Sequence, residues 1–85
     1  MSAYMAGTIV DSITITPHDT NALSKVVNVI YIGGAGSGNL KVRLFPSGTI
    51  QAFTGLTAPF MLQVQCDLVY DTDTDVTGLV GGIRG

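Results

Sequence analysis

Tryptophan is absent, cysteine and histidine occur once each, and four lysines and arginines are the whole basic complement of the 85 residues. Each shortage removes a class of function. Four cations cannot build a phosphate-binding stripe, and the net charge is -2, so nucleic-acid binding is excluded. Cys66, the lone cysteine, forms no intrachain disulfide, and its place in an apolar alternation marks it as a buried, inert thiol. His18 with one cysteine is too few for a metal centre. The serines and threonines have no identifiable base, so the chain reads as a non-enzyme that needs no cofactor. No stretch approaches the roughly 18 uninterrupted apolar residues of a membrane span. The start, MSAYMAGTIV, lacks the basic region and long apolar segment of a signal peptide.

Charge is scarce as well, at 12% of residues against 46% hydrophobic ones, about half the roughly 25% usual in soluble domains. A chain of 85 residues is one domain near the low end of what buries a core unaided. Such a chain is expected to be helped by neighbours, and no internal repeat or second domain interrupts residues 1–85.

What is present is β-strand pattern punctuated by turns. Residues 1–6 are small or apolar without a period and read as a loose or docking arm. In residues 8–16, Ile9, Ile13 and Ile15 share one parity against serine and threonine on the other, the signature of a half-buried strand. Asp11 interrupts the apolar face as a bulge, a break or a strand edge, and Pro17 ends the run. His18-Asp19-Thr20-Asn21 is a turn, with a marginal helical option over 20–25. Residues 26–32, VVNVIYI, are apolar on both parities and predict a central strand covered on both faces, one by the core and one by another layer or subunit. The stretch IYIGGAGSGNL reads as strand, glycine turn, strand, a hairpin in which glycine supplies positive φ at no steric cost. Leu40, Val42 and Leu44 then alternate with Lys41 and Arg43, Pro46-Ser47-Gly48 turns the chain, and residues 49–54 complete a second hairpin. FMLQVQCDLVY, from Phe60, is the longest clean alternation. Asp71 to Asp75 form an acidic loop, and residues 76–80 a last short strand before Gly81-Gly82. The sum is an all-β chain: a small antiparallel sandwich or barrel of about six to eight short strands.

Two stretches invite chemistry. The glycine run 33–38 resembles an anion cradle, but Asn39 stands where a dinucleotide fingerprint needs its third glycine, no Lys followed by Ser or Thr succeeds it, and a strand rather than a helix comes next. A turn or close packing against a subunit is the better reading. Asp71, Asp73 and Asp75 open like a calcium loop, yet Val76 and Gly82 occupy the places of its glycine and bidentate glutamate. That leaves a solvated loop or a looser cation site completed by a neighbour.

Three segments together resemble the head spike-base or capsid decoration proteins of tailed phages and phage-derived gene transfer agents: ITPHDTNAL (15–23), IYIGGAG (30–36) and TDTDVTGLV (72–80). The chain departs from that pattern where His18 replaces a serine, where Ser37-Gly38 lengthens the glycine turn, and where Asp73 and Asp75 replace glycine and threonine. The resemblance implies a virion protein on the capsid surface, made in the host cytoplasm. It would form a symmetric homo-oligomeric ring, five copies ahead of three, and bind the major capsid protein or carry a head fibre. The expected subunit or capsid interface is the arm residues Tyr4 and Met5, with Tyr31, Gly33, Gly34, Gly36 and Gly38 at the glycine tip. The alternative is a glycan- or ligand-binding β-module of a tail or surface fibre, whose only stacking tyrosines are Tyr4, Tyr31 and Tyr70.

Overall fold

Isoleucine alternating with serine and threonine lays down the first strand, β1 (Ile9–Thr14). The chain then adds β2 (Val29–Ile32), β3 (Ser37–Leu44), β4 (Ile50–Thr57), β5 (Phe60–Leu62), β6 (Cys66–Val69) and β7 (Leu79–Arg84). The structure, a computed structural model, describes residues 8–34 and 36–84. Among the described residues there are seven strands and no helix, so the fold is all-β and the helical option over 20–25 is not taken. The arm at residues 1–6, with Tyr4 and Met5, lies outside the described residues.

The strands form two antiparallel sheets, one ordered β1-β7-β2-β5 and the other β4-β3-β6. Ile30, Ile32 and Leu79 of the first share one buried cluster with Leu40, Val42, Cys66 and Val69 of the second, and Ile15, Val27 and Val76 join it from the connections. Burying an aliphatic side chain of this size is worth about 1.5–3 kcal/mol, which holds the sheets face to face as a sandwich.

Asp11 marks both a bulge and an edge. The β1–β7 register slips between Ile9 and Asp11, so Val10 is the extra residue and Ile9 turns to the outer face while Ile13 stays on the inner one. The second hairpin forms as expected: β3 and β4 pair through the Pro46-Ser47-Gly48 turn, closed by Gly48 N–H to Leu44 O at 2.8 Å.

Four expectations are corrected. The glycine stretch is not a hairpin, because β2 and β3 belong to different sheets. FMLQVQCDLVY is not one strand. β5 pairs with β2 in one sheet and β6 with β3 in the other, with residues 63–65 crossing between. The last strand runs from Leu79 to Arg84 rather than over 76–80, so Gly81 and Gly82 lie within the sheet between β1 and β2. The central strand is shorter than residues 26–32, since Val27 pairs with Cys66 of the other sheet before β2 begins. β2 is nevertheless interior, flanked by β7 and β5, but its outer face is open in the single chain, where Tyr31 is 42% exposed.

Candidate functional site

Tyr31 leads to the most distinctive surface. Antiparallel register places it directly opposite Met61 of β5 on one side and Val80 of β7 on the other, with Thr14 of β1 next in the row. Opposed residues share a sheet face, so Met61, Tyr31 and Val80 form a transverse apolar row on the outside of the four-stranded sheet, 51%, 42% and 37% exposed respectively. Val29, two residues before Tyr31, shares this face and is buried. It packs with Ile9 over Gly82, where an added Cβ would come within 2.7 Å of Val29 Cγ1 and 3.1 Å of Ile9 Cδ1. The bulge at Val10 is what brings Ile9 there, and with it the apolar strip reaches the β1 edge. Met61 and Val80 were not among the expected site residues. Their parity was readable, but their alignment with Tyr31 depends on strand order, which periodicity does not carry.

The glycine tip packs against the turn before β7. Gly33 N–H donates to Gly78 O at 3.0 Å and Gly34 N–H to Thr77 O at 2.9 Å, extending the β2–β7 pairing by two residues. A Cβ on Gly38 would sit 2.8 Å from Asp75 Cβ, and one on Gly33 2.7 Å from the Tyr31 ring. Three of the four tip glycines therefore give room to their own chain. Gly36 alone, with φ +87°, has open space where a side chain would project.

The charged groups are largely paired with one another. Arg43 grips Asp67 with two bonds of 2.9 and 3.0 Å. Lys25 meets Asp11 at 2.7 Å, which holds the Asp11 carboxyl below its ordinary range with help from the Ser12 N–H. Lys41 pairs with Asp73 at 3.5 Å and lies 5.3 Å from the centre of the Tyr70 ring, and Arg84 bonds Gln63. Each of the four basic side chains therefore has an acidic or amide side-chain partner.

The acidic loop spreads its carboxylates rather than converging them. Asp73 faces Lys41, Asp75 N–H bonds Asn39 O at 2.9 Å, and among the described residues no group of three His, Cys or Asp side chains is placed to hold a metal ion. The loop is anchored instead by Asp19, which accepts from Thr72 N–H at 2.8 Å and from its hydroxyl at 2.6 Å; these bonds lower the Asp19 pKa. His18 uses Nδ1 to accept the N–H groups of Thr20 and Asn21, both at 3.1 Å, and so serves its own turn. Cys66 is buried, and that burial pushes its thiol up to about 11, well out of the nucleophilic range.

No protein-family model and no curated protein matches the chain. Among solved structures it is similar to a chain of the capsid of a native gene transfer agent particle computed with C5 symmetry, with a TM-score of 0.77 and 25% identity, over 95% of this chain and 90% of that one. Likeness in both fold and sequence to a capsid component supports a structural, capsid-associated role for this sandwich.

Proposed function

We propose that the chain is a capsid decoration or head spike-base subunit, which assembles as a symmetric ring on the outside of a phage-type head and binds the major capsid protein. The observation that carries this reading is the likeness to a gene transfer agent capsid chain over 95% of the sequence. The surface agrees with it. Low charge and an apolar row across Met61, Tyr31 and Val80 suit a subunit that covers part of its surface in an assembly. Among the described residues the tyrosines add nothing to the alternative of a glycan-binding module, since Tyr31 lies on an open sheet face and Tyr70 is engaged by Lys41.

The role is mechanical. A subunit that binds only the assembled lattice adds its binding free energy to the assembled state and so opposes disassembly by mass action. In the spike-base form the ring also presents a platform for a fibre, and five copies are favoured over three. Imaging of the intact particle tests the reading: density for this chain is expected on the head, at the five-fold vertices. Heads that carry no such density, together with a folded monomer that never binds them, would overturn it.

A further inference from the structure

The four sheet edges are unequally guarded. The outer side of β6 is closed by the chain itself: His18 N–H donates to Val69 O at 2.9 Å, Leu23 N–H to Asp67 O at 2.8 Å, and Val27 and Cys66 exchange bonds of 3.0 Å. β1 carries its bulge and the Asp11–Lys25 pair, and β5 is only three residues long and follows Pro59. Covers, bulges, charges and short strands are the means by which proteins keep an edge from pairing with another chain. β4 has eight residues, IQAFTGLT, without a charge or a proline. Among the described residues only β3 lies beside it.

Register identifies its free groups. Leu44 N–H donates to Thr49 O at 2.7 Å, and Val42 and Leu40 lie opposite Gln51 and Phe53, so Thr49, Gln51 and Phe53 are the positions that bond β3. The intervening Ile50, Ala52 and Thr54 aim their N–H and C=O groups outward. The Ala52 carbonyl is met by the Gln51 side chain, Nε2 to O 3.1 Å, a local substitute for a missing strand. The flat run ends at Gly55, φ +70°, where two β4 residues oppose Asn39.

We propose that β4 pairs antiparallel with β4 of a second copy about a two-fold axis at Ala52, joining two three-stranded sheets into one. The choice of a second copy follows from the strand's own composition. In this register Ile50 faces Thr54 of the other copy, two β-branched side chains that pack well across strands. Gln51 faces Phe53, and Ala52 faces Ala52, where two methyl groups allow close approach at the axis. Self-pairing opposes like charges wherever a strand has any, and β4 has none. Each strand gains partners for backbone groups that point away from β3. A two-fold contact cannot close a ring of odd order, so this contact goes beyond the ring reading and doubles whatever unit the subunit otherwise forms.

The test uses charge at the axis. Ala52 is exposed and its N–H points away from β3, so A52K and A52E are expected to keep the thermal midpoint of the unaltered chain. Each variant alone places like charges face to face, and light-scattering mass is expected to fall to half that of the unaltered chain, with association weakened at least tenfold. An equimolar mixture of A52K and A52E opposes unlike charges and is expected to regain the full mass. Ala52→Pro, which blocks the outward N–H without removing a β3 bond, is expected to lose association and not to regain it on mixing with A52E. Variants that keep the unaltered mass at every concentration, or a mixture that stays at the mass of its components, overturn the proposal. The mass of A52K alone reports ring order separately, so failure of the two-fold contact and failure of the ring are read independently.

Discussion

A methyl group added to Gly78 would lie 2.6 Å from the Gly34 nitrogen, because the turn before β7 folds directly onto the glycines that end β2. Gly78 also has φ +66°, a left-handed conformation that costs other residues about 1–2 kcal/mol. Gly78→Ala is therefore expected to lose more than that backbone term, about 3 kcal/mol or more, since the collision is with main chain that cannot rotate away. Gly36 shares the left-handed conformation but faces open space, so Gly36→Ala is expected to cost only about 1 kcal/mol and Gly36→Val about 2 kcal/mol, β-branching adding to the strain. Urea midpoints of the three variants check the order; equal losses would mean that the close approach carries no weight.

Gly81 makes room for a side chain rather than for a turn. A Cβ there would run into Val27 and lie 3.1 Å from Ile15 Cδ1, on the inner face of the sheet. Gly81→Ala is expected to destabilise by about 1–3 kcal/mol through overpacking, and Val27→Ala by about 2 kcal/mol through the cavity it leaves. Combined, the new methyl enters the vacated space, and the double variant is expected to lose at least about 1 kcal/mol less than the sum of the single losses. Additive losses would show that the two residues do not share that volume.

These glycine contacts also show how far the sequence could be read. Period-two patterning correctly marked which side chains go inward for Leu40 and Val42, and the turn at Pro46-Ser47-Gly48 correctly marked a hairpin; residues 26–32, apolar on both parities, gave no inward side, and the structure turns Ile30 and Ile32 inward and Tyr31 outward. What the pattern lacked was sheet membership. A chain that crosses from one sheet to the other keeps its alternation, so Leu62 and Cys66 hold one parity while lying in different sheets. Gly81 and Gly82 looked like punctuation because glycine usually is, whereas here they flatten a central strand beneath Val27 and Val29. The row through Tyr31 was half legible: the residue stood out, but its neighbours Met61 and Val80 come from strands distant in sequence.

Cys66 makes alkaline stability measurable. Burial raises the thiol from its ordinary 9.0 to about 11, so the unfolded chain loses this proton before the folded one does. The contribution is fully present below pH 9 and is lost as pH rises through about 11, at most about 3 kcal/mol in total. Cys66→Ala is expected to lower stability at neutral pH while flattening the alkaline slope. The thiol of the unaltered chain should react with an aromatic disulfide reagent only as fast as the fold opens, and fast labelling at neutral pH would contradict its burial. Asp19 gives the opposite slope. Its pKa is lowered by Thr72, so its contribution is present above the ordinary 3.8 and disappears as pH falls through the lower folded value. Asp19→Asn is expected to flatten the acid limb.

The outer face of the four-stranded sheet separates stability from assembly. Tyr31 is 42% exposed and lies outside the buried core, so Tyr31→Lys is expected to change folding stability by no more than about 1 kcal/mol. An aromatic residue in the middle of an apolar row, with Met61 and Val80 at its sides, is by contrast the type of group that dominates an interface once water is excluded around it. If the proposed assembly covers this face, a lysine at the same place would bring a charge into a desolvated centre, a loss that the single chain never experiences. Incorporation of Tyr31→Lys into heads is therefore expected to fall at least tenfold while its thermal midpoint stays within a few degrees of the unaltered chain, and Met61→Lys should behave alike. Incorporation at the unaltered level would assign the contact to another surface, because a charge at the centre of an apolar row covered in the assembly would lose its solvent without gaining a partner.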